Sequence, residues 1–190
     1  MPLILLDRDG VLNHDRPESV RALEFFEILP NALEGVCLLS QTRWPIALVT
    51  NQAVVGRGEL SRQHLDEIHA FLIQQVKNAG GRIDHIYVCT DTQIEPNKRR
   101  KPAPGMLLEA MALYNTPPQE TVMIGDAPTD MQAATNAGCH KILVRTGKGE
   151  ETLRKWQQEW GTPCVCDDLL GAARMLTTTS FFDNRSPLLP

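Results

Sequence analysis

Short apolar runs alternate along this chain with longer stretches in which apolar residues recur at helical spacing. Leu3-Ile4-Leu5-Leu6 is continuous rather than alternating, the pattern of a strand buried on both faces. Residues 32–39 read as a helix and residues 46–49 as a second buried strand. Between Ser61 and Asn78, Leu65, Ile68, Leu72, Ile73 and Val76 recur at helical spacing; Ser61 can cap this helix and Gly80-Gly81 ends it. A third strand is predicted over residues 83–89, followed by a helix over 104–114 with proline in its first turn, where the missing N–H costs nothing. Strands over 121–124, 141–145 and 164–166 follow, with helices over 130–137, 150–160 and 168–176.

Strands alternating with helices imply an α/β domain with a Rossmann-like, doubly wound, mainly parallel sheet covered on both faces. A single domain is expected over residues 1–176. Residues 177–190 are rich in Thr, Ser, Pro and Asn without periodicity, and read as a poorly ordered or lightly docked tail. Ligands of such sheets bind at the carboxyl ends of the strands. The residues able to do chemistry fall there: after the first, second and fourth strands, and in the loop beyond the third.

Composition narrows the partners. A net charge of −4 offers no basic field for nucleic acid or anionic lipid, so an anionic ligand needs a local cation or metal. No apolar stretch reaches the roughly 20 residues that span a bilayer, and the apolar N-terminus is too short for a secretory segment. A cytoplasmic monomer acting on a small molecule, without nucleic-acid or membrane partners, is expected. The five cysteines are irregularly spaced, and Cys37, Cys89 and Cys139 read as small buried hydrophobes rather than reactive thiols.

In Asp7-Arg8-Asp9-Gly10, extended backbone would present Asp7 and Asp9 to one centre before Gly10 turns the chain. Two such carboxylates repel unless a proton or cation intervenes, and a hard cation such as Mg²⁺ suits them. Asp126 and Asp130 are four residues apart after the fourth strand, so one helical turn can return them to the same side. Thr50-Asn51-Gln52 supplies hydroxyl and amide groups for phosphate oxygens. Arg57 stands between two glycines, and Lys98-Arg99-Arg100-Lys101 is the one dense basic cluster of the sequence. A lysine there could neutralise both a carboxylate nucleophile and an incoming phosphate.

This ordered set, together with Arg100-Lys101-Pro102-Ala103-Pro104-Gly105 and Val144-Arg145-Thr146-Gly147-Lys148-Gly149, resembles the haloacid dehalogenase-like (HAD) phosphatases. The likeness is to their branch of D,D-heptose 1,7-bisphosphate and histidinol phosphatases, and it runs from Leu3 to about Thr152. The resemblance implies a HAD-like fold without a large cap, with Asp7 as nucleophile and Asp9 as acid and base. It implies Mg²⁺ at Asp7, the backbone carbonyl of Asp9 and Asp126, with Asp130 in support, and a phosphoryl group held by Thr50 and Lys101. Asn13, Asn51, Gln52, Arg57 and Arg100 would meet the rest of the substrate. Histidinol phosphate, other sugar phosphates and a nucleic-acid 3′-phosphate are alternative substrates, the last disfavoured by charge. A receiver-like phospho-aspartate module is a different class, and it lacks an acid/base two residues beyond the nucleophile.

One departure stands out. That branch carries a zinc site after its third strand, built from Cys-x-His and Cys-x-Cys pairs. Here Cys89 alone matches, Asp91 stands at the histidine position, and residues 90–99 hold no Cys or His. No zinc is expected, since one thiolate cannot complete a four-ligand shell; the loop would be held by Pro96 or by ion pairs.

Overall fold

A computed structural model describes residues 1–92, 98–178 and 181–182. The chain runs β1 (Leu3–Leu6), α1 (Ala32–Ser40), β2 (Ile46–Asn51), α2 (Ala53–Gly56), α3 (Arg62–Asn78), β3 (His85–Cys89), α4 (Gly105–Tyr114) and β4 (Thr121–Gly125). It continues through α5 (Pro128–Ala137), β5 (His140–Val144), α6 (Gly149–Arg154), β6 (Val165–Cys166) and α7 (Leu169–Thr178). The strands form one sheet in the order β3-β2-β1-β4-β5-β6, and every neighbouring pair is parallel.

The continuous apolar run of β1 now has its reason. Ile4 and Leu6 point into a core shared with α1, α3 and α7, whereas Leu3 and Leu5 point into a second core beneath α4 and α5. Ser61 caps α3 as expected, its hydroxyl accepting from the His64 N–H at 3.1 Å. The connection from β1 to α1 contains a 3₁₀ turn at Leu23–Phe25 and no inserted domain. Strand order reverses between β1 and β4, which opens a crevice at their carboxyl ends.

Some elements differ from the sequence expectation. The helix expected over residues 150–160 ends at Arg154 and gives way to a 3₁₀ turn at Gln158–Trp160. Two indole hydrogen bonds outcompete its continuation: Trp156 Nε1 donates to the Gly161 carbonyl at 2.7 Å, and Trp160 Nε1 to Gln132 on α5 at 2.8 Å. The third strand starts at His85 rather than Ile83, because the Asp84 carboxylate instead accepts from the Ile46 N–H at 2.8 Å. The tail expected from residue 177 begins inside α7, and Phe181 and Phe182 beyond it pack against His140. Among the described residues no helix is long and apolar enough to cross a membrane.

Candidate active site

β1 and β4, the strands flanking the reversal, are followed directly by Asp7 and Asp126, and the Asp7 N–H is tied to the Ile124 carbonyl at 3.0 Å. The first turn of α5 adds Asp130, whose carboxylate accepts from the Ala127 N–H at 3.0 Å. Carboxylate oxygens of Asp7, Asp126 and Asp130 lie within 4.8 Å of one another. Two glycines make the room. A Cβ on Gly10 (φ +81°) would lie 2.1 Å from Asp126 Oδ2, and one on Gly147 (φ +57°) 2.2 Å from the same atom.

Into this acidic corner comes the buried ammonium of Lys101, 3.0 Å from Asp7 Oδ1 and 2.6 Å from Asp130 Oδ1, donating also to the Val49 carbonyl at 2.7 Å. Asn51 fixes the Lys101 backbone, accepting from its N–H at 3.1 Å and donating to its carbonyl at 2.9 Å. Burial would lower the Lys101 pKa, but Asp130 and Asp7 more than reverse that and keep it charged. Asp7 is pushed up to about 7 by burial and by Asp130, with Lys101 pulling the other way. Asp126 is pushed up to about 8 by burial, then by Asp130 and Asp7, against the N–H of Lys148. Three carboxylates facing one ammonium leave negative charge uncompensated, and all three are hard oxygen donors. This donor set fits Mg²⁺.

Asp9 does not share that corner. The expectation that Asp7 and Asp9 converge assumed extended backbone, but the chain turns after β1, with the Leu12 N–H donating to the Arg8 carbonyl at 2.8 Å. The Asp9 carboxylate instead meets Arg8 Nη2, which is 2.9 Å from both its oxygens, together with Asn13 at 2.8 Å and Gln52 at 2.8 Å. Burial pulls its pKa upward, yet Arg8, Asn13 and Gln52 together hold it below the usual carboxylate range. Arg8 itself is fully buried. Its Nη1 lies 3.2 Å from His69 Nε2, which must accept, since a guanidinium can only donate. Burial, then Arg8, pushes His69 down to about 4 and leaves the ring neutral.

The other expected residues divide. Asn51, Gln52, Arg100 and Lys101 line the crevice with Asp7, Asp9 and Asp126. Thr50 is buried at the end of β2, accepting from Gln52 Nε2 at 2.9 Å. Asn13 is buried behind Asp9 and not in the crevice wall. Arg57 is not brought to the crevice: its guanidinium is held by Glu59 at 2.7 Å on the exposed surface. Two charged wall residues escaped the sequence reading. The Lys148 N–H donates to Asp126 Oδ2 at 2.7 Å, and its ammonium lies 3.0 Å from Asp15 across the mouth. The Thr-Gly-Lys-Gly run after the fifth strand was the available signal for Lys148; Asp15 had none. In the loop lacking zinc ligands, Cys89 Sγ lies 3.7 Å from Asp91, while Pro96 falls outside the described residues.

Comparison with known proteins is consistent along the chain. The HAD-hydrolase-like family model matches residues 98–172. The chain is 37% identical over 176 residues to D-glycero-beta-D-manno-heptose-1,7-bisphosphate 7-phosphatase of Pseudomonas putida, covering 93% of this chain and 99% of that relative. It is also 37% identical over 159 residues to the enzyme of the same name from Neisseria meningitidis serogroup A, covering 84% and 85%. Among solved structures, D,D-heptose 1,7-bisphosphate phosphatase from B. bronchiseptica, complexed with magnesium and phosphate, superposes with a TM-score of 0.90 at 34% identity, covering 94% of this chain and 99% of that one.

Proposed function

This chain belongs to the haloacid dehalogenase-like D-glycero-D-manno-heptose-1,7-bisphosphate 7-phosphatases, and we propose that it removes the 7-phosphate of that sugar bisphosphate through an aspartyl phosphate on Asp7. The observation that carries the reading is the meeting of Asp7 with buried Lys101 and with Asp126 and Asp130 at the sheet crevice. Asp7 Oδ1 already receives the Arg8 N–H at 2.8 Å and the Lys101 ammonium at 3.0 Å, which leaves Oδ2 for attack.

In the first step Asp7 Oδ2 forms a bond to phosphorus while the ester P–O bond breaks, and Asp9 gives a proton to the leaving oxygen. In the second, Asp9 takes a proton from water, the water oxygen bonds to phosphorus, and phosphate leaves Asp7 free again. Thr50 and Lys101 hold the transferring group, and Gln52 ties Thr50 to Asp9. Mg²⁺ would be held by Asp7, the Asp9 carbonyl and Asp126, supported by Asp130, and would supply neutralisation of the phosphoryl charge. Arg100 reaches the remainder of the substrate from the crevice wall. Histidinol phosphate would undergo the same chemistry, but two further cations in the wall, Arg100 and Lys148, favour a substrate with a second phosphate.

The reading extends to a cytoplasmic monomer, and to the lack of a nucleic-acid partner, which the net charge of −4 supports. It includes no zinc, because Cys89 has Asp91 rather than a histidine beside it. Phosphate release from heptose 1,7-bisphosphate, histidinol phosphate and nucleotides, with Mg²⁺ and with chelator, tests the function. The bisphosphate should be preferred, chelation should abolish turnover, and Asp7→Asn should be inactive yet folded. Full activity of Asp7→Asn would end the aspartyl-phosphate mechanism, and one tightly bound zinc per chain in metal analysis would overturn the loop reading.

A further inference from the structure

Resting on the role of Asp9 as acid and base, we propose that Arg8 is the residue that positions it, and that His69 of α3 in turn positions Arg8. Removing a guanidinium wholly from water costs several kcal/mol. The Arg8 side chain is nonetheless fully buried, with its guanidinium against the ring of Phe26. The charge is therefore there for its partners. Among the described contacts these are the two oxygens of Asp9, each 2.9 Å from Nη2, His69 Nε2, 3.2 Å from Nη1, and the face of Phe26, 5.8 Å from the guanidinium carbon.

Of the three side chains that donate to Asp9, only Arg8 meets both oxygens; Asn13 meets Oδ1 and Gln52 meets Oδ2. Arg8 alone therefore bridges the two oxygens, through the single nitrogen Nη2, and this charged donor holds the carboxylate between Asn13 and Gln52, in the place from which it exchanges protons with the leaving group and water. A planar fork rooted next to Asp9 would swing unless its other arm were tied. His69 ties it, the one buried polar residue of an α3 face otherwise made of Leu65, Ile68, Leu72 and Val76. The Arg8 guanidinium acts through Asp9 and not on the phosphoryl group, so it is a positioning residue.

The Mg²⁺-loaded enzyme with p-nitrophenyl phosphate isolates the step concerned. p-Nitrophenolate departs without a proton, so phosphorylation of Asp7 is insensitive to Asp9, whereas hydrolysis of the intermediate is not. Arg8→Met should give a burst of about one p-nitrophenolate per site, with kcat lowered roughly 10- to 100-fold and kcat/KM nearly unchanged. His69→Leu should give the same burst in weaker form, and His69→Gln, which keeps an acceptor, should restore the native kinetics. A folded Arg8→Met without a burst, whether kcat and kcat/KM fall together or both stay native, overturns the proposal. Should Arg8→Met fail to fold, identical kinetics for His69→Leu and His69→Gln overturn it equally. Asp9→Asn separates the two levels. If it also shows no burst and native kcat, the acid/base reading fails and takes this inference with it; if it bursts and Arg8→Met does not, only this inference fails.

Discussion

Asp126 is hemmed in by two glycines from different loops, and each tolerates no side chain for two independent reasons. In Gly147→Ala the new Cβ would sit 2.2 Å from Asp126 Oδ2 at a φ of +57°. Overpacking costs about 1–3 kcal/mol and the left-handed backbone about 1–2 more. Gly58→Ala carries the same backbone penalty at φ +74°, but nothing lies within 4 Å of its Cβ. Denaturant unfolding should therefore show both variants destabilised and Gly147→Ala more so. Phosphatase assays should show a raised Mg²⁺ requirement in Gly147→Ala alone, because only there is Asp126 displaced. The sequence marks Gly10 as a turn; that its missing side chain also houses a carboxylate more than a hundred residues away is a matter of packing.

At the level of elements, pattern was a good guide wherever a strand or helix is decided by its own burial. β1, β2, β4 and α3 follow from apolar runs and periodicity with small changes at their ends. Where a distant partner intervenes, pattern was not enough, as at Trp156 and Trp160, whose anchored indoles break the expected helix. The packing of α1 on α7 makes the same point quantitatively. Gly35 lies inside α1, where alanine is favoured by about 1 kcal/mol in a free helix. Its Cβ would stand 2.9 Å from the Leu169 backbone, and neither helix can yield without repacking the core between them. An overpacking cost of about 1–3 kcal/mol outweighs the propensity gain. Gly35→Ala should lower the midpoint of chemical unfolding without altering catalysis per folded molecule.

Taken as a whole, the fold concentrates negative charge at the meeting of β1 and β4, and this couples metal, pH and stability. The raised Asp7 and Asp126, at about 7 and about 8, mean that the metal-free native chain holds protons that the unfolded chain, near 3.8, has released. Their contribution to stability is thus fully present below about pH 4 and is lost as pH rises towards 8. Thermal melts with chelator should show this decline in the native protein relative to Asp126→Asn, which lacks one of the two groups. Saturating Mg²⁺ should restore stability most strongly at the alkaline end, by about 2.7 kcal/mol at a hundred times its Kd. A Mg²⁺ shift equal at pH 5 and pH 8 would show that these carboxylates do not hold the ion.

The sequence by itself determined the alternation of elements, the edge of the sheet at which its charged and polar residues gather, and that Asp7, Lys101 and Asp126 would be among those that meet there. These are local properties: burial period, turn residues, and polar groups at strand exits. Tertiary structure alone decided that Asp9 turns from Asp7 towards Arg8, that Arg57 is held by Glu59, and that Lys148 and His69 belong to the site's surroundings. Each of those outcomes is a competition among charges brought together by the fold, and the winner depends on distances that no linear spacing contains.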